Sequence, residues 1–156
     1  MSNLIKIGID PSGTGTTAIV TFKDNKLIDK SEYTHYDWIT QPDIILDVLR
    51  PDAIINIEDC LYTSANASKD RDDLLKVIGT VKYNTKKVHN INWVSPKHTK
   101  SIVKNMENLS KYNDSCIWKF DKDSNLIYQY GKGWKYNNEK ISNHLRDAII
   151  IANYEV

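Results

Sequence analysis

Apolar positions along the chain follow two different spacings, and the switches between them mark the elements. Residues 4–9 form a short run in which Ile5, Ile7 and Ile9 alternate with Lys6 and Gly8, and Asp10-Pro11-Ser12-Gly13 closes it; this predicts a strand. Residues 16–22, rich in Thr, Ile and Val, predict a second strand. Asp24-Asn25 predicts a turn, and residues 27–34 a third strand. The connections are too short for parallel crossovers, so these three should form an antiparallel meander. Ile44, Ile45, Val48 and Leu49 fall on one side of a helix over 43–49. Pro51-Asp52 then punctuates, and 53–57 read as a buried strand ending at Glu58. The intervening helix allows that strand to run parallel to the first.

Leu74, Leu75, Ile78 and Val81 recur at helical spacing within 68–88, giving a long helix whose stripe faces a core or a partner subunit. Residues 91–94 predict a short strand stopped by Ser95-Pro96, and 97–104 open another helix. The stretches 117–120 and 126–130 flank 121–125 like a hairpin. Ile141, Leu145, Ala148, Ile149 and Ala152 make an apolar stripe on a final helix over 139–154. An opening meander followed by alternating helices and strands indicates α/β with a mixed sheet.

Composition changes this picture little. With 156 residues, 40% hydrophobic and 26% charged, the chain suits one soluble domain. No apolar run is long enough to span a bilayer, and residues 1–6 do not read as a signal peptide, so a cytoplasmic location is expected. Cys60 and Cys116 have neither ligand spacing nor a disulfide framework. Charge is more informative. The net value is +1, yet residues 86–140 carry 11 basic against 5 acidic side chains, a footprint suited to a phosphate backbone or, more blandly, to a solvated surface.

The acids suggest chemistry. Asp10 ends the first strand and Glu58 the fourth; if those strands are parallel neighbours, both carboxylates emerge at one edge of the sheet. His144 and Asp147, at i and i+3, project from nearly one face of the last helix. Three carboxylates converging with an imidazole would repel unless a cation joined them, and hard oxygen donors suit Mg²⁺ or Mn²⁺. Taken singly, each residue is as well explained as a turn, cap or surface group.

Gly8-Ile9-Asp10-Pro11-Ser12-Gly13, Ile57-Glu58-Asp59 and His144-Leu145-Arg146-Asp147-Ala148 together resemble, in order and broad spacing, the three active-site blocks of RuvC-type Holliday junction resolvases. The resemblance spans nearly the whole chain and is weakest over 105–137; low-GC bacteria and their bacteriophages are the expected sources. It implies one RNase H-like nuclease domain over 1–156 with a five-stranded mixed sheet, and a homodimer that nicks two strands of a four-way DNA junction. It further implies Asp10, Glu58, His144 and Asp147 as catalytic and metal-binding residues for about two Mg²⁺ or Mn²⁺ ions per site. Lys100 matches a lysine important for activity in the family, with Lys97 and Lys104 as helical neighbours toward DNA. The family's glutamate is often followed three positions later by an aromatic that stacks on junction bases. Here Leu61 holds that position with Tyr62 next, and the resemblance implies these two as DNA contacts. Trp118, Phe120, Tyr128, Tyr130, Trp134 and Tyr136 interleave with lysines in the least alignable stretch, either to stack on bases or as a small core. Rival readings are a ribonuclease H-type enzyme acting on RNA–DNA hybrids, a branched-DNA-binding protein that does not cleave, and an actin-like ATPase using 12–16 to cradle phosphates. The ATPase would need a second lobe.

Overall fold

Strand β1 (Ile5–Asp10) pairs antiparallel with β2 (Thr16–Lys23), and β2 with β3 (Lys26–Thr34), forming the meander. Asp24 and Asn25, at φ 49° and 66°, turn β2 into β3 in the left-handed conformation that a two-residue hairpin loop requires and that short polar side chains tolerate. Helix α1 (Gln41–Val48) leads to β4 (Ala53–Glu58), parallel to β1, and α2 (Lys69–Asn84) leads to β5 (Ile91–Val94), parallel to β4. The sheet order β3-β2-β1-β4-β5 puts β1 in the centre. This computed structural model describes residues 4–60, 69–112 and 115–155, with the backbone alone for 69 and 70. Among these residues, no helix is long and apolar enough to cross a membrane.

The two faces of the sheet are covered differently. Ile5, Ile7, Ile9, Ile19, Ile55 and Ile57 pack with Ile45 of α1 and with Val77 and Val81 of α2. Ala18, Val20 and Phe22 point the other way, onto α4 (Asn143–Ala152), as strand alternation requires. Helix α4 is enclosed: Ala148, Ile149, Ile150, Ile151 and Ala152 have no exposure. Its far side meets α3 (Pro96–Tyr112) and a second sheet.

One open alternative is decided here and two expectations change. The α2 stripe is turned mainly inward, with Ile78 and Val81 buried and Leu74 and Leu75 half-buried, because the aliphatic sheet face needs that cover. The last helix begins at Asn143 rather than 139, with Ser142 as N-cap accepting from the Leu145 amide. The predicted hairpin is present as β6 (Trp118–Phe120) and β7 (Asp123–Gln129), but β8 (Gly133–Tyr136) and β9 (Glu139–Lys140) extend it into a four-stranded antiparallel sheet. Phe120, Leu126, Trp134 and Tyr136 are buried and join the core around α4. These aromatics are therefore core residues rather than a base-stacking platform.

Candidate active site

Strands β1 and β4 run in register, Ile9 opposite Ile57, so that Asp10 and Glu58 are the next residues on neighbouring parallel strands. Alternation puts both carboxylates on the face opposite the aliphatic layer, at the carboxyl ends of the strands, where open α/β sheets commonly bind ligands. Helix α4 lies close against this face. Asn56, two residues before Glu58, donates from Nδ2 to the carbonyls of Ile151 and Tyr154 at 2.9 and 3.0 Å. Gly8, two residues before Asp10, is where the helix touches the strand. A Cβ there would strike the Ala148 carbonyl oxygen and stand 2.6 and 2.7 Å from Ala152 Cβ and N, so only glycine permits the approach. That approach brings the first turns of α4 over Asp10, with His144 Nδ1 3.7 Å from Asp10 Oδ2.

The loop after Asp10 is also fixed. Thr17 Oγ1 accepts from the Ser12 amide at 3.1 Å and donates to Gln41 Oε1 at 2.6 Å. Gln41 Nε2 in turn donates to the carbonyls of Gly15 and His35, both at 2.9 Å. With no exposure of its own, Gln41 ties the loop to the start of α1.

The four residues act on one another electrostatically. Burial raises the Asp10 carboxyl to about 6; Asp147 adds to the rise, while His144 and Arg146 oppose it. Burial, then the charges of Asp10 and Asp147, push Glu58 up to about 8, against the pull of Thr99 and Lys100. Asp147 is raised by burial and held back by Arg146, and His144 is raised by the Asp10 carboxylate beside it. Such a cluster of partly dehydrated acids is short of positive charge.

Beside it opens a pocket of about 310 Å³, lined by Glu58, Asp147, Thr99, Lys100, Val103, Lys104, Glu107 and Arg146. The helical spacing of Lys100 and Lys104 brings both to this rim; Lys97 is exposed but outside it. Leu61 and Tyr62 lie outside the described residues. Asp59 takes no part: its Oδ2 accepts from Lys82 at 3.0 Å, and that ammonium also lies over the Trp93 ring. A larger hollow, about 440 Å³, opens at the opposite end of the sheet around Leu4, Ile54, Asn92 and Tyr154, away from the acids.

Sequence reasoning missed Thr99, Glu107 and Arg146. Thr99 is buried, and its hydroxyl has no hydrogen-bond partner within normal geometry among the described residues, although it stands near enough to favour ionised Glu58. Only Arg146, between the His and Asp of the last block, carried a visible signal.

By donor chemistry the site suits a hard divalent cation: three carboxylates, an imidazole and an orphaned buried hydroxyl, with charge left uncompensated. Among the described residues, no three His, Cys, Asp or Glu side chains are already drawn together as an ion-binding group. Compared with known proteins, the chain matches no family model and no curated sequence.

Proposed function

We propose that this chain is a Mg²⁺- or Mn²⁺-dependent endodeoxyribonuclease of RuvC type, with an RNase H-like fold, that hydrolyses phosphodiesters in branched DNA such as four-way junctions. One observation carries the reading: Asp10, Glu58 and Asp147, from three separate blocks of sequence, lie within electrostatic reach of one another at one sheet edge, with His144 3.7 Å from Asp10 and Lys100 and Lys104 on the adjoining rim. A non-cleaving DNA-binding protein has no use for partly buried carboxylates beside a polyanion.

The bound cation would activate water and neutralise charge developing on the phosphate. Asp10, Glu58 and Asp147 would hold the cation, Asp10 being the most buried of the three and on the central strand. His144, whose side chain is half exposed, would exchange a proton with solvent near neutral pH. Lys100 and Lys104 would hold the phosphate backbone at the pocket mouth, fixing position without reading sequence. Two symmetric nicks need two active sites, so the reading entails a dimer on the junction.

Cleavage of a four-way junction, a linear duplex and an RNA–DNA hybrid with Mg²⁺, by wild type and Asp10→Asn, tests this. We expect paired nicks in the junction, lost by orders of magnitude in Asp10→Asn with DNA binding retained. Preference for the hybrid would replace the reading with a ribonuclease H-type enzyme, and binding without any cleavage would leave only a DNA-binding protein.

A further inference from the structure

We propose that Arg146 is a positioning residue for Asp147, and that the small β6–β9 sheet belongs to the active site because its Trp134 holds Arg146 in place. The inference rests on the nuclease reading above. Arg146 Nε donates to Asp147 Oδ1 at 2.9 Å, and Nη2 lies 2.8 Å from the same oxygen. Both contacts fall on Oδ1, so Asp147 is gripped on one side and its second oxygen remains for a cation.

The guanidinium is itself held from three elements. Its Nη1 donates to Asn143 Oδ1 at 3.2 Å within α4 and stands 3.9 Å from Glu107 Oε1 of α3. Its carbon lies 5.1 Å from the centre of the Trp134 ring of β8, a cation–π stack. Trp134 Nε1 donates to that same Glu107 oxygen at 3.3 Å, so indole, carboxylate and guanidinium lock together. The Arg146 side chain is only 11% exposed, which limits the alternative arrangements open to it. An arginine is needed: the flat fork can donate edge-on to a carboxylate while stacking on a ring, which a lysine ammonium cannot do.

A positioning role and a purely electrostatic one predict opposite signs. Removing a cation beside an acidic site should tighten divalent binding if charge alone matters. If Arg146 pre-orients Asp147, its loss should weaken binding, by about ten- to a hundredfold for an outer partner of a metal ligand.

The test is Mn²⁺ titration calorimetry on the full chain without DNA, with junction cleavage against Mn²⁺ concentration in parallel. We expect Arg146→Met and Arg146→Lys both to bind Mn²⁺ at least about tenfold more weakly than wild type. Their cleavage should be rescued at raised Mn²⁺. Trp134→Leu should match Arg146→Met, and the double variant should be no worse than either, since the two residues act in series. Trp134→Phe keeps a ring under the guanidinium and should lie between, so it carries the test if Trp134→Leu does not fold. Wild-type or tighter Mn²⁺ affinity in folded Arg146→Met would overturn the inference. Asp147→Asn separates the two layers: if it binds Mn²⁺ as wild type does, or if wild type binds none, the metal-nuclease reading fails and the inference falls with it.

Discussion

The two faces of the central strands separate an aliphatic packing surface from the one that carries the candidate site. On β1, Ile5, Ile7 and Ile9 face α1 and α2 in a layer whose buried residues are all aliphatic, while Lys6, Gly8 and Asp10 alternate toward α4. On β4, Ile55 and Ile57 join the first layer, while Asn56 and Glu58 face the second. The aliphatic face is built of side chains packed on side chains, so the loss of one methyl group should be absorbed there at modest cost. The α4 face is held by backbone contact at Gly8 and by a side chain bonded to main-chain carbonyls at Asn56, so its geometry is rigid. The same contact positions the candidate site, since the helix that touches Gly8 also carries His144 and Asp147.

The largest test of this contrast is a pair of substitutions one residue apart. Gly8→Ala should destabilise the protein by about 3 kcal/mol or more in urea unfolding, at or above the usual cost of overpacking, because the atoms met include backbone that cannot step aside. It should abolish cleavage by displacing α4. Ile7→Val should cost only about 1 kcal/mol and leave cleavage unchanged. Equal effects from the two would erase the distinction between the faces.

A smaller effect comes from protons. Unfolded, Asp10 and Glu58 ionise near their ordinary 3.8 and 4.5; folded, they keep their protons to about 6 and about 8. Between these limits the folded chain binds more protons than the unfolded one. Stability without metal should therefore be greatest below about pH 4 as far as these groups decide it, and fall as the pH rises toward about 8. Each tenfold change in proton affinity corresponds to about 1.4 kcal/mol, so half of these displacements already amounts to a few kcal/mol. Thermal melts from pH 5 to 9 should show the decline. Asp10→Asn and Glu58→Gln should each flatten it, and millimolar Mg²⁺ should restore stability on the alkaline side. A profile unchanged in both variants would mean that the acid face carries no such strain.

The smallest expected effect lies at the rim. Lys100→Ala and Lys104→Ala should each reduce the slope of log affinity against log salt by about one in junction binding, for one lost phosphate contact apiece. Stability should remain unchanged, because both side chains are exposed. Slopes equal to wild type would restrict the DNA path to other parts of the surface.

Much of this architecture was legible without coordinates, for reasons that differ by region. The five strands of the main sheet follow from local alternation and from turn residues such as Asp24-Asn25. The short connections and the intervening helix were enough to predict antiparallel and parallel pairing. The acid set was legible because two members follow apolar strands and two share a helix face. The second half of the small sheet was missed although Asn137-Asn138, at φ 50° and 65°, forms the same kind of turn as Asp24-Asn25; its flanking strands are too short and polar to show a period. The helix start at Asn143 was missed because Ile141 continues the apolar spacing while its backbone belongs to the approach from β9.

What the sequence determined by itself was therefore whatever depends on neighbours along the chain: strand alternation, turn chemistry, helix spacing and the placing of acids at the ends of elements. Tertiary structure alone supplied the partner that sets Asp59 apart from Glu58, since Lys82 from a distant helix takes Asp59 while Glu58 feels the charges of Asp10 and Asp147. It also decided the proton affinities, because dehydration of Asp10 and Glu58 depends on everything packed around them. The grip on Asp147 has the same origin: Glu107, Trp134 and Arg146 come from three elements far apart in sequence. Packing and dehydration depend on distances through space, which spacing along the chain does not encode.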